Sequence, residues 1–138
     1  MRGDDSKEYT RPPLDAAESL RLFRTGERRA LRLNEFFTVA GSYPQGSTEY
    51  NDVLDLAARL FPDSPEANIN AAAVARTKGE TAKARRYLER FATLPMAYNN
   101  MGILCLQVGK RDKAEVYLTM AAAAGVKQAD KALKELKR

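Results

Sequence analysis

The chain has 138 residues, 44% hydrophobic and 30% charged, with 23 Lys+Arg against 18 Asp+Glu for a net charge of +5. That length suffices for one domain with its own core, and no stretch approaches the roughly 20 apolar residues of a membrane span. With no histidine and a single cysteine, an internal disulfide framework, a thiol-rich zinc site and every His-dependent catalytic arrangement are excluded.

Residues 1–13 read as a polar, flexible leader carrying Pro12-Pro13 and lacking the apolar core of a signal peptide. Arg2-Gly3-Asp4 spells an adhesion tripeptide there, but three residues recur easily by chance. A short amphipathic helix is expected over 14–25, stopped by Gly26. Leu33, Phe36, Phe37 and Ala40 share one face of a second helix, which Tyr43-Pro44-Gln45-Gly46 breaks. Ser47 then caps a helix running to Phe61, with Tyr50, Val53, Leu54, Ala57 and Leu60 inward and Pro62 as its stop.

Ser64-Pro65-Glu66 combines an N-cap, a proline at the first helical position and an acid in the first turn. That helix ends at Gly79, and another spans about 81–93 with Ala84, Leu88 and Phe91 on one face. Pro95 restarts the pattern, Gly109 stops it, and a helix over 111–124 ends at Gly125. The last helix, over 126–137, has Val126, Ala129, Ala132, Leu133 and Leu136 as its apolar stripe. Strand signals are nearly absent, because β-branched residues are sparse and no long apolar–polar alternation occurs.

Self-comparison shows an internal repeat. Pro65 matches Pro95, Gly79 matches Gly109, Ala84 matches Ala114 and Leu88 matches Leu118, each pair 30 residues apart. The unit is helix, glycine turn, helix. Small residues (Ala72 and Gly102, Ala84 and Ala114) stand where two helices must approach closely, and Tyr98, Met101, Phe91 and Leu118 fill the gaps. A lone helix pair cannot bury both its faces, so neighbouring pairs must stack.

The segment Tyr98-Asn99-Asn100-Met101-Gly102-Ile103-Leu104-Cys105, followed by Gly109, Ala114, Leu118 and Ala121, resembles a tetratricopeptide repeat. Tyr98 takes the family's aromatic place, Met101-Gly102 its Leu-Gly pair, and Ala114, Leu118 and Ala121 its second-helix positions. In the preceding unit Asn68 replaces the aromatic, Ala71-Ala72 replace Leu-Gly, and Phe91 stands where a small residue is expected. Against a family period of about 34 residues, the shorter spacing is expected to come from the loop before Pro95. The resemblance implies an all-α, right-handed stack of about seven or eight antiparallel helices over 14–138. Its units are 33–62, 65–94 and 95–124, sealed by a capping helix over 126–138. The order Leu33-Asn34-Glu35-Phe36-Phe37, Tyr50-Asn51-Asp52-Val53 and Phe61-Pro62-Asp63-Ser64-Pro65 through Ala72 is also similar to C-terminal repeat modules of some bacterial cell-envelope proteins. That narrower likeness implies a piece of a larger envelope or periplasmic protein. Without it, a cytoplasmic setting is expected.

In the tetratricopeptide family the first helix of each pair lines a groove. Carried over, the candidate partner-binding residues are Ile69, Asn70, Ala73 and Arg76, with Glu66 and Thr77 beside them, then Met96, Asn99, Asn100, Ile103, Leu106 and Gln107. They are either a partner surface, which the apolar members favour, or ordinary helix positions covered by neighbouring chain. The family's carboxylate clamp needs a lysine at 69 and an asparagine at 73, where this chain has Ile69 and Ala73. Acidic C-terminal tails are therefore not expected as ligands.

The expected function is non-catalytic binding of a protein or peptide, with no cofactor, metal or small-molecule substrate. No phosphate-cradling glycine motif is present, and Cys105 occupies an inward position without a neighbouring cation to activate it. The alternative is nucleic acid or another polyanion on two basic clusters, Arg21, Arg24, Arg28, Arg29 and Arg32, and Lys83, Arg85, Arg86 and Arg90. Few aromatics interleave with those clusters, which weakens that reading.

Overall fold

Residues 11–138 are described by the computed structural model. Residues 1–10, including Arg2-Gly3-Asp4, lie outside the described residues. Among those described there are eight α-helices and no strand: α1 (Ala16–Arg24), α2 (Leu33–Ala40), α3 (Thr48–Leu60), α4 (Pro65–Thr77), α5 (Thr81–Glu89), α6 (Pro95–Gln107), α7 (Arg111–Ala123) and α8 (Lys127–Leu136), with a 3-10 turn at Arg28–Ala30 between α1 and α2. The protein is all-α and repeat-like, as its helix punctuation implies.

The punctuation acts through hydrogen bonds. Asp15, Ser47 and Ser64 cap α1, α3 and α4 by accepting from the amides of Glu18 (2.8 Å), Tyr50 (3.2 Å) and Ala67 (3.1 Å). Pro95 opens α6, but its cap residue is Leu94, which offers no side-chain acceptor. At the other ends, one device appears four times. Gly79 and Gly109 have φ of 78° and 81°, a left-handed conformation open to glycine at no steric cost. The amides that follow them, of Glu80 and Lys110, each donate over 2.8 Å to the carbonyl five residues back, Ala75 and Cys105. The same closure follows Gly26 and Gly125, so these turns are Schellman caps that use carbonyls the helix would otherwise leave unpaired.

By its contacts the described chain divides into two compact units, one ending at Phe61 and the other spanning Pro62–Arg138. In the first, α1 packs on α2 and α2 on α3. Phe36 is fully buried, with Phe23 and Phe61 meeting its ring edge-on at 6.2 and 5.8 Å. Glu35 is 2% exposed. It accepts from the Arg11 guanidinium through both oxygens (2.6 and 3.1 Å) and from the backbone amides of Leu14 (3.0 Å) and Arg32 (2.9 Å). Burial alone would push this carboxyl up. The four donors outweigh it and hold the pKa at about 2, against 4.5 for the free group. Arg11 was assigned to the flexible leader, yet its charge is fixed against the start of α2. The leader reading therefore does not extend to this residue.

In the second unit, helices joined by short glycine turns pack as antiparallel neighbours: α4 with α5, α6 with α7, and α7 with α8. Each second helix presents one leucine to a three-helix seam. Leu88 of α5 lies with Ala72 of α4 and Ala97 of α6, and Leu118 of α7 lies with Ala121, Val126 and Ala129. Ala97 and Ala129 thus play the same part, and α8 occupies the place of the next first helix. Its stripe docks as expected, with Leu136, Ala132 and Leu133 in the cluster. The side chains beneath it are Tyr98, Leu106 and Ala122. Met120 of α7 lies outside that cluster and is 41% exposed.

The 30-residue spacing has a different source from the one expected. α5 has nine residues where α7 has thirteen, so the shortfall is one lost helical turn of α5 rather than a trimmed loop before Pro95. Phe91 then lies past the end of α5, in the turn over 90–93. Asn68, in the aromatic place, is 1% exposed and donates to the carbonyls of Pro62 (3.1 Å) and Ser64 (2.8 Å). It ties the incoming loop to α4, a polar solution to a packing problem.

Candidate functional site

Ile69, Ala73 and Arg76 follow one another at helical spacing on α4, and Met96, Asn99, Ile103, Leu106 and Gln107 do so on α6, which packs against α4. The structure grades these positions by burial. Met96 and Gln107 are exposed, whereas Asn70, Ala73 and Ile103 are half-buried. Ile69 packs against the Leu88 seam and Leu106 against the cluster under α8, so both lend much of their surface to the core. Asn100, 7% exposed, donates its amide to the Met96 carbonyl over 2.9 Å within its own helix. It is spent on local structure and stands apart from the open face on which it was placed.

Two members carry buried polar atoms without a partner: the Oδ1 of Asn99, a residue only 8% exposed, and the Nε of Arg76. An unsatisfied buried acceptor or donor carries the desolvation cost of that group. Burial also pushes the Arg76 guanidinium down from its ordinary value, and no carboxylate pairs with it among the described residues. One acceptor on α6 and one donor on α4 are therefore left unpaired within the fold.

The basic clusters are partly committed. Arg21 pairs with Glu18, Arg28 lies 4.2 Å over the Phe23 ring and donates to the Phe23 carbonyl over 3.1 Å, and Arg90 is 3.7 Å from Asp63. Arg32 and Lys83 are engaged as well. Cys105 is buried, as its repeat position implied. Among the described residues no three His, Cys, Asp or Glu side chains gather in a metal-binding group, and no helix is long and apolar enough to cross a membrane.

Sequence reasoning missed the orphaned atoms. Only the polar residue at an otherwise apolar, inward-turning register on α6 hinted at Asn99. No protein-family model matches the chain, and no curated protein matches it.

Proposed function

We propose that the protein is a tetratricopeptide-like, non-catalytic interaction module that binds an extended peptide or partner segment along α4 and α6. The observation that carries this reading is a pair of unpartnered polar atoms on the two packed helices, the Asn99 Oδ1 on α6, one turn before Ile103, and the Arg76 Nε on α4. An extended peptide supplies backbone N–H and C=O groups at regular intervals, the complement of one orphaned acceptor and one orphaned donor beside apolar side chains. The envelope setting rests on the likeness of the 33–72 segment to envelope repeat modules.

The test is selection of binders from a random linear peptide library, followed by NMR amide-shift mapping on the full chain. Peptides that perturb Arg76, Asn99, Ile103 and Gln107 together, and that lose binding on Asn99→Leu, support the reading. Selected peptides that map to other helices, or no selected peptide at all, overturn it.

A further inference from the structure

A cleft of about 260 Å³ opens between α5, the C-terminal end of α6 and the start of α7, on residues other than the partner face described above. Its chemistry is two-sided. Arg85 from α5 and Lys110 and Lys113 around the start of α7 line it with three positive charges, against the single carboxylate of Glu89. None of the three cations forms an ion pair or a side-chain hydrogen bond among the described residues.

The α6 side of the cleft is apolar. Leu104 and Cys105 form a buried floor with Met101 beside them, and Val108, 42% exposed, stands at the helix end. Val108 is the C-cap residue of α6, its amide donating to the carbonyls of Leu104 and Leu106, and its branched side chain is left partly open to water at the cleft. Tyr117 completes the lining, and its ring is fixed by stacking on Tyr98 at 6.5 Å. Cleft, charge and apolar floor thus meet in one place, supplied by three helices whose packing sets their spacing.

We propose that this cleft binds a small organic anion with an apolar body. A carboxylate or phosphate-monoester head is held by Arg85, Lys110 and Lys113, while a hydrocarbon chain or ring lies on Leu104, Cys105 and Val108. The volume admits on the order of ten non-hydrogen atoms, at a liquid share of roughly 30 Å³ for each water-sized group. An eight-carbon acid is of that size. Both parts are needed. A bare anion gains only a solvent-screened attraction to exposed cations, and a neutral chain gains only a partly open apolar floor. A cleft that encloses so few atoms also suits a single short anion better than a polymer, whose charges need a groove to track along.

The test is an NMR amide-shift titration of the full chain with octanoate, octyl phosphate, octanol, octyltrimethylammonium and inorganic phosphate. The expected result is saturable shifts centred on residues 104–113 for octanoate and octyl phosphate. The tighter of the two identifies the head group. Octanol, the cationic amphiphile and inorganic phosphate bind at least about tenfold more weakly. Lys110→Gln with Lys113→Gln weakens octanoate by a similar factor and leaves the thermal unfolding curve in place, since both side chains are exposed. The proposal is overturned by any of three results. In the first, neither octanoate nor octyl phosphate saturates below about 10 mM. In the second, octanol, octyltrimethylammonium or inorganic phosphate binds as tightly. In the third, the double variant keeps the affinity. Because the partner-face residues are not substituted, this outcome is independent of peptide binding on α4 and α6.

Discussion

A β-carbon placed on Gly102 falls 2.6 Å from Cγ and 2.7 Å from Cδ2 of Leu118, and 3.4 Å from the Ala114 carbonyl oxygen. Leu118 is fully buried, so its side chain has nowhere to retreat. Glycine in mid-helix ordinarily costs about 1 kcal/mol relative to alanine, and here close approach of α6 to α7 compensates for it. Gly102→Ala is therefore expected to lower stability despite its better helix propensity, and Gly102→Leu to lower it by roughly 1–3 kcal/mol or more through overpacking. Urea unfolding measures both. In the double variant Gly102→Ala with Leu118→Ala the clash is absent, so the two losses should be clearly less than additive. Full additivity would show that the pair does not touch.

Glu35 gives a pH dependence of definite sign. Its folded pKa of about 2 lies below the free value of 4.5. Its contribution is therefore fully present above about pH 4.5 and disappears as pH falls through about 2. Arg11 is a quarter exposed, so solvent screening reduces the worth of the pairing, and about 2 kcal/mol is a fair magnitude. Glu35→Gln is expected to be less stable than the natural chain at pH 7 by about that amount, the gap closing steadily below pH 4.5. A constant gap down to pH 2 would mean that the carboxylate is not the stabilising form.

The helices and their repeat were legible in the sequence because they depend on local chemistry. Ser64, Pro65, Gly79 and Gly109 act within a few residues of where they stand, and Ala72, Gly102, Leu88 and Leu118 report a spacing that any stacked pair needs. The lost turn of α5 was not legible. Its residues are good helix formers, and no glycine or proline marks the passage after Glu89 into the turn over 90–93. The role of Arg11 was hidden for a similar reason, since its partner Glu35 lies 24 residues away. Of the site, the carried-over register picks out one face of α4 and one of α6. Register alone does not say which polar residues are already satisfied, and the structure separates Asn100, bonded within its own helix, from Asn99, which is not.

The cap is expected to be necessary to the second unit. Val126, Ala129 and Leu136 are buried on Leu118 and Ala121, with Leu133 and Ala132 beside them, and Arg111 reaches across to donate to the Leu136 carbonyl. At about 25 cal/mol per Å² of apolar surface this burial amounts to several kcal/mol, comparable to the roughly 5–15 kcal/mol net stability of a domain. Ending the chain at Gly125 would uncover Leu118, Tyr98 and Leu106 while leaving Met120 as exposed as before. The truncated chain should melt at least about 10 °C lower and self-associate on size-exclusion chromatography. A monomer with an unchanged midpoint would show that α8 is an appendage.

Asn99 separates stability from binding. In the free protein its Oδ1 is buried and bonded to nothing, so replacing it by an apolar residue of similar volume removes a desolvation cost and loses no hydrogen bond at that oxygen. Asn99→Leu is therefore expected to raise stability, by on the order of 1 kcal/mol, in contrast to most core substitutions. Asn100→Leu removes the bond to the Met96 carbonyl and should lower stability by about as much. Peptide affinity should move the other way, falling with Asn99→Leu because the orphaned acceptor is what the partner satisfies. Chemical denaturation of the two variants beside the natural chain, with peptide titrations on each, distinguishes the cases. If Asn99→Leu is as destabilising as Asn100→Leu, its oxygen has a partner within the fold, and the binding face loses the feature that sets it apart from any other pair of packed helices.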